Sequence, residues 1–270
     1  MDANGTESVV DDRADRSSSI GERAGDLVAC VVVWGAALMT AAAVQEVFTF
    51  LPGFVPWGGE SPRSFLTSIG AAAGLVATAV FASFGAGTIS VRVAGGRLVD
   101  GMGLRAPVSM RQTLRWAAVG AAAAVALWAM AKLLALFPGL TSVPADEDPR
   151  LIAVAQTSTP IRFMYGLIAP APLEELAFRG PLLALLLALL AAQHRGSWTG
   201  RRWVRWSLMG TAIAASAVVF AAGHTIGGSV NVAHAVANAV ITTAVTLWQR
   251  SLFPALAAHG LYDAWAFAWG

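Results

Sequence analysis

The chain has 270 residues, 56% of them hydrophobic and only 13% charged, with a mean hydropathy of +0.63; this excludes an ordinary soluble domain and reads as an integral membrane protein. The formal charge is +2, and the 18 basic residues, all arginine except Lys132, gather in loops, where they report membrane topology and point to no nucleic-acid partner. Cys30 is the single cysteine, so no intrachain disulfide is possible and a cysteine metal cluster is excluded.

Met1 to Asp26 mixes seven acids and three arginines with Ser, Gly and Asn and has no apolar period, which is the composition of a disordered tail. Residues 27–270 then form one membrane domain. A first span is expected from Leu27 to Val44 or Phe50. A second, Phe65 to Ile89, contains Gly70 and Gly74 at the small-xxx-small spacing of closely packed helices. The loop Ser90 to Arg115 holds five arginines against one acid, Asp100, and is expected in the cytoplasm. A third span follows, Trp116 to Phe137, with Lys132 placed to snorkel at its far end, and then an acidic loop, Asp146-Glu147-Asp148.

Residues 151–193 are interrupted by Pro160, Pro170 and Pro172. A second basic loop follows, with Arg195, Arg201, Arg202 and Arg205. Both basic loops on one side require an odd number of crossings between them, so 151–193 is expected to cross once, from about Leu173 to Gln193, behind a surface or re-entrant piece. Three more spans, Trp206 to Gly223, Val232 to Trp248 and Leu252 to Trp269, complete an all-α polytopic bundle of seven spans, with eight the alternative count.

One stretch stands out, Pro172-Leu-Glu174-Glu175-Leu-Ala-Phe-Arg179-Gly180, because ionisable groups at membrane depth cost a few kcal/mol each and so mark function. Pro172 fits a helix start, which puts both carboxylates in the first turn at the positive end of the helix dipole. Glu175 and Arg179 lie four apart and can pair, while Glu174 points about 100° away and stays available. His224 closes the run from Phe220. His259 and Asp263 are again four apart, so the carboxylate can fix the imidazole tautomer. His234 and Asn238 repeat that spacing, and pairing with each other inside the bundle is a sufficient structural reason for them. Solvated His194 belongs to the basic loop.

This polar set, spread over four helices, suits water activation by a carboxylate with imidazoles that hold a metal, orient the water or stabilise an oxyanion. No serine or cysteine stands one turn from His224, His234 or His259, which argues against nucleophile catalysis. A proton-coupled transporter would also place acids and histidines in a bundle.

Glu174-Glu175-Leu-Ala-Phe-Arg179 resembles the EExxxR signature of the CPBP intramembrane proteases, the CAAX-processing and bacteriocin-processing group. Phe220-Ala-Ala-Gly-His224 is similar to that family's FxxxH motif. Leu252-Phe-Pro-Ala-Leu-Ala-Ala-His259-Gly-Leu-Tyr-Asp263 is similar to its last motif, a histidine followed four residues later by Asn or Asp. The likeness covers about Pro172 to Asp263, within a catalytic core of about 151–270. It implies an intramembrane endopeptidase in which Glu174 activates water, Glu175 and Arg179 support it, and His224, His259 and Asp263 complete the site. Zinc on Glu174, His224 and His259 is one form that the resemblance implies; a metal-free form, with His259 and Asp263 at the oxyanion, is the other. Many members carry asparagine at the Asp263 position, whereas His234-Asn238 lacks the preceding Leu-Phe-Pro. The implied setting is a bacterial cell membrane, and the implied substrate a peptide or protein, lipid-modified in CAAX processing or a peptide in bacteriocin maturation or immunity. A non-catalytic immunity or scaffold protein that binds a peptide is the reading from a different class.

Overall fold

A computed structural model describes residues 32, 34–35, 103–144, 147, 158–168, 170–193 and 202–269, and their regular structure is entirely helical. The expected N-terminal tail, the second span and the loop with His194 lie outside the described residues, as does the first span apart from 32, 34 and 35. Helix α1 is Met110–Leu134. It begins six residues before the Trp116 expected from hydropathy, because Ser109 caps it: the Ser109 hydroxyl accepts from the Gln112 amide, while the Gln112 side chain accepts from the Val108 amide. Polar capping chemistry thus carries the helix into the basic loop.

Helix α2, Thr159–Ile168, is about 15 Å long at 1.5 Å per residue, too short to cross a bilayer. It lies along the last described helix. Helix α3, Pro170–Glu174, runs through a π-helical turn, Glu175–Arg179, into α4, Gly180–Gln193. The expected start at Pro172 is corrected to Pro170. Both prolines fall in the first turn, where the missing amide hydrogen has no partner to lose. Helices α5, Arg202–Ala222, and α6, Gly228–Gln249, are joined by a 3-10 turn, Thr225–Gly227, and α7 is Phe253–Trp269.

Three helices, α1, α5 and α6, are long and apolar enough to cross a membrane. Helix α4 is apolar around its circumference, with Leu182, Leu183, Leu185, Leu186 and Leu189 all buried, and it packs against α5. Its leucines meet Met209 and Ala212 of α5. Ala177 and Phe178 of the π turn meet Phe220, Ala235 and Ala239, and Leu127 of α1 meets Ala258 of α7. Trp203, Trp206, Trp248 and Trp269 are exposed, as side chains at the membrane interface would be.

Two glycines set the geometry near the site. A Cβ at Gly166 would lie 2.6 Å from the Asp263 carbonyl carbon and the Ala264 amide, so its absence lets α2 press directly on the backbone of α7. Gly228 has φ of 81° and opens α6, with the Thr141 carbonyl where a side chain would stand.

Candidate active site

The π turn has a local cause. Pro181 has no amide hydrogen to give the Ala177 carbonyl, and its ring crowds that oxygen, so the preceding turn widens and Gly180 N–H reaches back to Glu175 O instead. Single π turns of this kind recur at functional sites. Here the turn carries Glu175 and Arg179, with Glu174 immediately before it.

The centre of the site is the imidazole of His259, buried on α7. Its Nδ1–H donates to Glu175 Oε1 at 2.9 Å. Its Nε2 faces two more carboxylates, Asp263 Oδ2 at 3.5 Å and Glu174 Oε2 at 3.7 Å. Adjacent residues of one helix therefore address the ring from opposite edges. The tautomer-fixing role expected of Asp263 falls instead to Glu175, because the carboxylate on the neighbouring helix reaches Nδ1 while Asp263 lies at Nε2.

Glu175 is held from behind. Its Oε2 lies 3.5 Å from Arg179 Nε, the pairing that four-residue spacing predicts, and the two side chains are 0% and 1% exposed. The Arg179 guanidinium stacks over Phe220 at 4.2 Å and donates through Nε to Thr242 Oγ1 at 3.2 Å. Glu174 and Asp263, by contrast, keep 19% and 15% of their side chains accessible. The site thus has a dry back wall and an open front.

His224 stands at the end of α5. Its Nδ1–H donates to the Phe220 carbonyl at 2.8 Å, which puts the lone pair of the neutral ring on Nε2, and Asn231 Nδ2 holds the His224 carbonyl at 2.8 Å. Phe220 joins the two histidines, with its ring 4.6 Å from that of His224 and 6.0 Å from that of His259. His234 and Asn238 do not pair as expected. His234 Nε2–H donates to the Leu127 carbonyl at 3.3 Å and its ring stacks on Tyr262 at 4.4 Å, while the buried Asn238 Oδ1 has no hydrogen-bond partner among the described residues.

With Nδ1–H committed to Glu175, a neutral His259 would aim its lone pair at two carboxylate oxygens. A proton or a cation between them removes that repulsion. An imidazole whose other nitrogen is tied to a carboxylate is also the usual form of a metal-ligating histidine, so the donor chemistry suits zinc. The spacing does not close as a ligand set: among the described residues no three His, Cys, Asp or Glu side chains stand at metal-holding distances. Thr242 is the residue of this network that sequence reasoning passed over. Its signal was the buried polar stripe His234, Asn238, Thr242, Thr246 on an otherwise apolar helix.

Carboxylates flanking a buried imidazole, in a bundle with three helices long and apolar enough for a bilayer, suit hydrolytic chemistry in a membrane-embedded protein. Residues 156–265 match the family model described as type II CAAX prenyl endopeptidase Rce1-like, and this stretch is a domain of that family of membrane-embedded endopeptidases. The match runs from ahead of α2 to near the end of α7 and contains all six of Glu174, Glu175, Arg179, His224, His259 and Asp263. No curated protein and no solved structure matches the chain.

Proposed function

We propose that the chain hydrolyses a peptide bond at the accessible edge of this centre, with Glu174 as the base that takes a proton from the attacking water. The observation that carries the reading is the convergence of Glu174 and Asp263, both accessible, on a His259 held from behind by the buried Glu175–Arg179 pair. Water attacks the carbonyl carbon, Nε2–H of His259 faces the developing oxyanion, and the proton taken by Glu174 passes to the departing amine as the C–N bond breaks. Glu175 and Arg179 keep the His259 ring in place, and His224 lines the site beside Phe220.

The substrate class is a peptide or protein segment presented at the bilayer, lipid-modified near its C-terminus as in CAAX processing, or a peptide undergoing maturation in bacteriocin production or immunity. The full chain is a seven-span, multi-pass bundle with a polar N-terminal tail in a bacterial membrane. Zinc, held by Glu174, His224 and His259, would add polarisation of the water; no step above depends on it.

Full-length protein in nanodiscs, given internally quenched CAAX peptides with and without a farnesylated cysteine, tests the reading. Wild type cuts and Glu174→Gln does not, at equal abundance and melting temperature. Equal cleavage by both would overturn the role of Glu174, and no cleavage by either would favour a binding or immunity protein. Elemental analysis of wild type and His224→Ala, with cleavage repeated under chelator, separates the two forms. Near-stoichiometric zinc lost in the variant establishes the metal; cleavage that survives chelation establishes the metal-free route.

A further inference from the structure

Helix α6 carries none of the residues assigned above to the reaction, yet it buries His234, Asn238, Thr242 and Thr246 at four-residue intervals. Leu127 and Tyr262 account for His234. Thr242 is accounted for by the site. Its hydroxyl has a single hydrogen, and that hydrogen is committed to the Asn238 carbonyl at 2.8 Å, one turn back. Oγ1 accepts from Arg179 Nε–H at 3.2 Å and also faces the Glu175 carboxylate, so Thr242 touches both members of the pair. The direction of both bonds is fixed by chemistry.

Arg179 has few other directional holds. Its Nη1 and Nη2 have no hydrogen-bond partner among the described residues, and its contact with Glu175 is a 3.5 Å ion pair without hydrogen-bond geometry. The Phe220 ring, 4.2 Å away, offers a flat face on which a guanidinium can rotate. The Thr242 bond is what selects the edge that Arg179 turns toward Glu175. Glu175 Oε1 in turn accepts from His259 Nδ1–H. A line of contacts thus runs from the Asn238 carbonyl through Thr242, Arg179 and Glu175 to the ring that faces Glu174.

We infer that Thr242 is a positioning residue for the peptidase centre, setting the Arg179–Glu175 pair and through it the orientation of His259. The kinetic part of the test rests on the peptidase reading; the spectroscopic part does not. Full-length protein labelled with 15N-histidine is placed in nanodiscs as wild type, Thr242→Val and Thr242→Ser, with the His259 signals assigned from their loss in His259→Gln. Valine keeps the shape and removes the acceptor, and serine restores it.

Thr242→Val is expected to move the His259 ring-nitrogen signals and Thr242→Ser to return them. With the quenched farnesylated CAAX peptide, Thr242→Val should lower kcat by roughly tenfold to a hundredfold, as losing a hydrogen bond to a charged group does, with KM within about twofold. Adding Thr242→Val to Arg179→Gln should cause no further loss, because the residues act as one unit. His259 signals unchanged in Thr242→Val would overturn the inference, and so would a serine variant as impaired as valine, which would show a packing role. A wild type that cuts no peptide, with His259 signals that still respond to valine and recover with serine, would sink the peptidase reading and leave the positioning role standing.

Discussion

Glu175 is enclosed between Arg179 and His259, whereas its neighbour Glu174 keeps an accessible edge. The same substitution should therefore do different things at the two positions. Glu175→Gln leaves a buried guanidinium without its counter-charge, a loss of about 3–5 kcal/mol when one partner of a buried pair is removed, so the melting temperature should fall along with activity. Glu174→Gln should leave the melting temperature where it is. A Glu175→Gln protein as stable as wild type would argue that the pair contributes nothing to the fold. Arg179→Lys should not rescue the site, since an ammonium cannot lie flat on Phe220 while bonding Thr242; cleavage is expected to drop at least about tenfold, measured beside Arg179→Gln. The pairing of Glu175 with Arg179 was legible in the sequence because four-residue spacing lies within one helix. The approach of both acids to opposite nitrogens of His259 was not, because it depends on how α7 docks against the π turn.

At the scale of elements, Pro181 and Gly166 do what spacing rules cannot express. Pro181→Ala restores an amide hydrogen for the Ala177 carbonyl, so the π turn should close to an α turn and rotate Glu174 and Glu175 relative to Arg179. Cleavage should fall while thermal stability holds or rises, a combination read by activity beside a melting curve; unchanged cleavage would mean the widened turn is dispensable. Gly166→Val would drive a side chain into the Asp263 carbonyl and lose about 1–3 kcal/mol by overpacking, which a lowered melting temperature would record. The six described helices of 10 or more residues were largely visible from apolar runs and prolines. Their ends were less so: Ser109 and Gln112 extend α1 by capping rather than by hydropathy, and the π turn follows from a proline that reads simply as an interruption.

For the whole molecule, arginine is concentrated at the basic end of the described helices, with Arg111 and Arg115 near the start of α1 and Arg202 and Arg205 near the start of α5. A membrane-impermeant thiol reagent on Ser197→Cys, in a Cys30→Ser background, should label from the cytoplasmic side; labelling from outside would invert the topology. All-helical architecture was legible because composition leaves few alternatives inside a bilayer. Which helices meet was not, since lipid and leucine are equally apolar and partner choice falls to small residues and buried polar groups.

The 3-10 turn between α5 and α6 has a consequence for biogenesis. The two apolar helices are separated only by residues 223–227, a connection that suits insertion into the bilayer as one antiparallel hairpin. His224 sits at the tip of that hairpin, while the polar stripe of α6 finds its partners on α1, α7 and the π turn. The ribosome thus delivers the second motif and its supporting helix together, after the glutamates and before the histidine of α7, and the centre closes only when the last helix arrives.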